Sequence, residues 1–165
     1  MPLSKIQGIN GQVTPNLGRR NILINGAMQV AQRGDQTSLT NNYTGVDRWK
    51  FDRVGAAVVT GKQGGSGVST PANGFPSSVH LDVTTADSSV AAGDFALLRQ
   101  YIESRNLQQL KYGTSSAESL SLSFYVKSPK TGTHWVEMYA YDAAKFISAS
   151  YLSLIHISEP TRPTW

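Results

Sequence analysis

The clearest pattern along the chain lies at residues 119–126, where Leu120, Leu122, Phe124 and Val126 alternate with Ser119, Ser121, Ser123 and Tyr125. That period of two predicts a strand with one dry and one wet face. The segment S-P-K-T-G-T at 128–133 reads as a turn, and it leads into residues 134–142. There Val136, Met138 and Ala140 alternate with Trp135, Glu137, Tyr139 and Tyr141. The two alternating runs are expected to pair as a hairpin.

Upstream the same reasoning gives shorter pieces. Val79, Leu81 and Val83 alternate with His80, Asp82 and Thr84, predicting a half-buried strand. The order D-R-W-K-F-D-R at 47–53 places Trp49 and Phe51 on one side of a strand, with Arg48, Lys50 and Asp52 on the other, so Trp49 reads as a core anchor. Residues 54–61 are expected to extend that strand or pair with it. Residues 95–103 fit neither period well and are read as strand. The run Ile22-Leu23-Ile24, broken at Asn25-Gly26, predicts strand, kink, strand, because Asn-Gly favours positive φ. Residues 32–44 and the Gly-rich stretch 64–76 read as loops, and residues 1–20, interrupted by Gly8, Gly11, Pro15 and Gly18, as an extended lead-in that serves attachment. Short strands with Gly/Pro-rich connections and no convincing long helix predict an all-β fold, an antiparallel β-sandwich.

Composition narrows the classes. The chain has 165 residues with 15 Gly and only 16% charged residues, a balance suited to β structure in a domain of ordinary size. The formal charge of +4 is spread thinly, with no basic run longer than Arg19-Arg20, whereas phosphate binding needs a clustered basic face; nucleic acid is not an expected partner. With no cysteine there is neither a disulfide framework nor a thiolate site. No apolar run approaches the roughly 20 residues of a membrane span, and the first residues lack the order of a secretory signal.

Residues 152–162, LSLIHISEPTR, match one translated frame of a common transposon-based sequencing adaptor. Residues 152–165 are therefore expected to be a non-native tail, with the native sequence of a metagenomic fragment stopping near Tyr151 at a contig or read end. The alternative is a C-terminal strand containing Leu154, Ile155 and Ile157. The expected organisation is thus lead-in 1–20, one domain at 21–151, and the tail.

Two linked blocks carry a family resemblance. The first, R-N-I-L-I-N-G-A-M-Q-V-A-Q-R-G, contributes Asn21, Asn25, Gly26, Met28, Gln32, Arg33 and Gly34; after a polar gap the second contributes Tyr43, Thr44, Asp47, Arg48 and Trp49. This pattern resembles the opening of phage tail-fibre and tail-associated virion proteins, and the later elements R-Q-Y-I-E and L-S-F-Y-V-K-S-P-K-T-G-T are similar to the same group. The resemblance covers roughly residues 18–141. It implies a jelly-roll sandwich like that of carbohydrate-binding modules, here truncated before its closing strands. It also implies a virion location in the phage tail after assembly in the host cytoplasm, other tail proteins as partners, a homotrimer, and no catalytic motif.

The candidate chemistry fits adhesion. If Leu122, Phe124, Val136 and Met138 face the core, then Tyr125, Trp135, Glu137, Tyr139 and Tyr141 lie on the opposite face. Aromatic rings beside hydroxyls and a carboxylate suit a sugar, so a host surface polysaccharide or glycan is the expected ligand. The competing expectation is that loops, further strands or a neighbouring subunit cover these rings. A glycosidase would need two carboxylates across a bond, and no pair is singled out among the many available. His80 and His134 are isolated, so no metal site is predicted from them. Jelly-roll modules often hold a structural calcium near the first strand, where this chain has Asn25 and Gly26, but Ala27 supplies no carboxylate there. Residues 54–62 lack the spacing of a phosphate loop. The Arg33-Gly34-Asp35 tripeptide belongs to the opening motif rather than to cell adhesion, and Asn42-Tyr43-Thr44 is a formal glycosylation acceptor with no expected use in a bacterial virus.

Overall fold

A computed structural model describes residues 21–64 and 75–153. The lead-in, most of the Gly-rich stretch and residues 154–165 lie outside the described residues. The chain divides into two compact units, the first containing residues 21–64 and 76–107, the second residue 75 and residues 108–153. The described chain is all-β, built from small sheets with short 3-10 turns.

In the first unit, β1 (Asn41–Tyr43), β2 (Lys50–Val54) and β5 (Phe95–Arg99) form a three-stranded antiparallel sheet in the order β1-β2-β5. Next to it, β3 (Val58–Gly64) pairs with β4 (Ser78–Thr85), with a bulge between Val58 and Val59. The strand expected around Val79–Val83 is present, and of the one expected at 95–103 only Phe95–Arg99 is strand. Residues 54–61 turn away from β2 instead of pairing with it, and β3 takes β4 as its partner.

The chain crosses between the two sheets at 36–43. Gln36 exchanges two 2.8 Å backbone bonds with Gly61, and Leu39 N–H donates to the Val59 carbonyl at 2.8 Å. One residue later the partner changes, since Arg53 N–H donates to Thr40 and β1 continues along β2. A stretch that composition marks as a polar loop is therefore the corner tying both sheets together. At the corner Leu39 is fully buried and packs with Phe51, Val59 and the half-buried Leu81. Gly61 makes room for it: a Cβ there would lie 2.6 Å from Leu39 Cδ1 and 3.3 Å from Thr44 Cβ.

Residues 22–30 correct a second expectation, for they form a turn and no strand. Asn21 Oδ1 accepts Leu23 N–H at 3.0 Å, an Asx turn that competes with extended backbone. Asn25 and Met28 both hold positive φ, 56° and 58°. The Gln100 side chain stands in for a missing strand partner, donating to the Ile24 carbonyl and accepting from Ile24 N–H, both at 2.8 Å. The apolar run Ile22-Leu23-Ile24 is thus overruled by the asparagines at its two ends.

In the second unit, β6 (Gly132–Ala140) pairs antiparallel with β7 (Lys145–Ser153) over nine residue pairs. This corrects the expected hairpin between 119–126 and 134–142. Residues 119–126 keep the predicted alternation of half-buried and exposed side chains, yet among the described residues they form only isolated bridges. The turn joining β6 to β7 is a 3-10 turn, Tyr141–Ala143, closed by Ala144 in the left-handed region at φ 48°.

Candidate functional site

Antiparallel pairing puts directly opposed residues on the same face. Trp135 opposes Ser150, Glu137 opposes Ser148 and Tyr139 opposes Phe146, so these six side chains share one face of the hairpin. Trp135, Glu137 and Tyr139 are exposed and alternate with the half-buried His134, Val136 and Met138. Trp135 is 68% exposed, Tyr139 54% and Phe146 63%, so the rings are open to solvent. Tyr141, 82% exposed, sits in the connecting turn with its ring edge-on to Tyr139, centroids 6.0 Å apart.

Of the expected sugar-binding residues, the structure therefore brings Trp135, Glu137, Tyr139 and Tyr141 together. Tyr125 goes elsewhere, its ring tilted against Phe75 at 5.3 Å. Phe124 packs edge-on against Tyr151 at 5.2 Å, and Tyr151 stacks on His134 at 5.5 Å, which assigns this aromatic trio to the opposite, half-buried side of the hairpin. Burial raises the Tyr151 hydroxyl pKa above its ordinary value. Sequence reasoning missed Phe146, whose signal was the alternation Phe146, Ser148, Ser150, Leu152.

The two motif blocks fold onto one another in the first unit. The Asn25 amide donates to the carbonyls of Val30 (2.9 Å) and Asp47 (3.0 Å), while its Oδ1 accepts Val30 N–H at 3.1 Å. The Asn25 carbonyl in turn accepts the Trp49 indole N–H at 3.1 Å, so the half-buried Trp49 anchors the turn as much as the core. Asp47 Oδ1 accepts Gln32 N–H at 3.3 Å and lies 3.6 Å from the Arg33 guanidinium, which stands over the Tyr43 ring at 4.8 Å. Gln63 donates to the carbonyls of Met28 (2.7 Å) and Gln29 (3.0 Å). Thr44, fully buried, has its hydroxyl within 3.0 Å of the Val46 carbonyl and accepts Val46 N–H at 3.2 Å.

Arg48, at φ 74°, reaches Glu103 at 2.7 Å. That hydrogen bond raises the Arg48 pKa and lowers that of Glu103. A shallow cleft of about 340 Å³ opens between the blocks, lined by Ile24, Val30, Arg33, Tyr43 and Asp47 among others. Its charges are already paired within the protein. Near Asn25, its Oδ1 accepts Val30 N–H and Asp47 Oδ1 accepts Gln32 N–H, so both oxygens serve the fold of the two blocks.

Elsewhere, Asp87 and Asp94 flank Gly55. Asp87 accepts the N–H groups of Ser89 (2.9 Å) and Ala56 (2.7 Å), which lower its pKa, and Asp94 accepts Ala91 N–H at 2.7 Å. Both carboxylates thus serve the turns that hold them. Among the described residues no three metal-ligating side chains converge. No family model, curated protein or solved structure matches this chain.

Proposed function

We propose that this chain is part of a phage tail-fibre or tail-associated virion protein that binds host surface glycans without catalysis, and that its sheets belong to a jelly-roll sandwich. The observation that carries the reading is the row Trp135, Glu137, Tyr139 on one exposed face, continued by Tyr141 at the turn. Rings open to solvent offer stacking surfaces for the C–H face of a sugar, and Glu137, Ser148 and Ser150 offer polar partners for its hydroxyls. Weak single-site contacts would gain strength from several copies on one particle, as in a trimeric fibre. The virion assignment rests on the two motif blocks.

A second reading, a structural virion module that packs between subunits, is favoured by Phe146, which opposes Tyr139 on the same face and is 63% exposed. Apolar exposure of this kind marks a contact surface of some sort. A bacterial glycan array separates the two. Retention on glycans that is lost in Trp135→Ala and Tyr139→Ala supports adhesion. Self-association by light scattering that the same variants abolish, with no glycan retained, supports packing.

A further inference from the structure

The exposed face of the β6–β7 hairpin has a charge pattern that bears on which sugars it can hold. Glu137 stands midway between Trp135 and Tyr139, opposite Ser148. Among the described residues its carboxylate has no hydrogen-bond or ion-pair partner. No Lys, Arg or His occupies any position of that face: His134 and Lys145 belong to the opposite one, since they pair with Tyr151 and Ala140. The turn adds a second negative group, Asp142. Trp135 and Tyr139 stand about 13 Å apart along the strand, so one ligand reaching both rings must be longer than a single hexose.

We infer that Glu137 sets the ligand class of this face, admitting neutral or amino-bearing oligosaccharides and rejecting acidic ones. The inference rests on the glycan-binding reading above. A uronic or sialic acid carboxylate laid across the rings meets Glu137 with no cation nearby to offset it, whereas a hydroxyl or ammonium finds an acceptor. Because the face is open to water, the discrimination is moderate and screened by salt.

The test uses the full chain and matched hexamers of glucose, glucosamine and glucuronate, alongside a glycan array sorted into neutral, amino and acidic members. The expected result at low salt is binding of neutral or amino members, with acidic ones weaker by about tenfold. That gap should narrow at about 1 M salt, where the Debye length falls to about 3 Å. Glu137→Gln, an isosteric change at an exposed position, should raise the affinity for acidic members relative to neutral ones and weaken amino-bearing members, with its circular dichroism spectrum preserved. Equal or tighter binding of acidic glycans by the parent chain, or an unchanged ratio in Glu137→Gln, overturns the role of Glu137 while leaving adhesion standing. A folded protein that binds no glycan of any class overturns the adhesion reading, and this inference with it.

Discussion

The two units reach stability by different routes. In the first, buried apolar side chains are few, with Leu39, Val46, Phe51 and Val59 the buried hydrophobics among its described residues. Polar groups do much of the positioning: Asn25, Asp47, Gln63 and Gln100 each satisfy backbone groups across long stretches of sequence. In the second unit, Leu110 is the only buried hydrophobic among the described residues, and Phe146, Ile147 and Leu152 on β7 are all more than half exposed. A two-stranded ribbon is marginal by itself. Specific hydrogen bonding thus defines the first unit, while the second presents surface, which is the property adhesion or packing requires.

The comparison can be broken most directly by deleting the same side chain in both places. Phe51→Ala, at a site 3% exposed, should cost about 3–5 kcal/mol in a urea titration, whereas Phe146→Ala should cost under about 0.5 kcal/mol. Equal losses would mean that β7 is covered in solution. Asn25→Ala removes three hydrogen bonds and leaves a residue with a Cβ at φ 56°, so a loss of about 2 kcal/mol is expected; a neutral result would show that the interlocked blocks are held by packing alone.

Gly45→Ala should be milder, about 1–2 kcal/mol. Its new Cβ would lie 2.7 Å from the Gly34 carbonyl oxygen and 3.2 Å from Lys62 Cα, both backbone atoms that must shift. Thermal melts of the variant would show the change as a lowered Tm.

The smallest effect concerns Asp87. Its pKa is lowered in the folded chain by the Ser89 and Ala56 N–H groups, so its stabilising contribution is present above the ordinary carboxylate value of about 4 and is lost as pH falls below it. Asp87→Asn should lower stability slightly near neutrality, where the carboxylate contributes, and flatten the profile in that acid window. An unaltered acid limb would show that those turns do not depend on the carboxylate.

What could be read from the sequence was the all-β character, the strands around Val79–Val83 and at 95–99, the alternation along 134–140, and the shared face of Trp135, Glu137 and Tyr139. A period of two is a local property, and it survives whatever the strand pairs with. Partner choice is not local. The S-P-K-T-G turn announces itself by composition, while the turn that closes β6 on β7 does so through Ala144 in a left-handed conformation, with neither Gly nor Asn to mark it. The hairpin was therefore assigned to the wrong neighbour, and Phe146 was missed with it. The Ile22-Leu23-Ile24 run failed for the complementary reason, since its apolar residues favour a strand while Asn21, Asn25 and the distant Gln100 supply the hydrogen bonds that make a turn. Which side chains alternate was written in the chain itself; which backbone groups they meet was decided only when segments far apart in sequence satisfied one another's donors and acceptors.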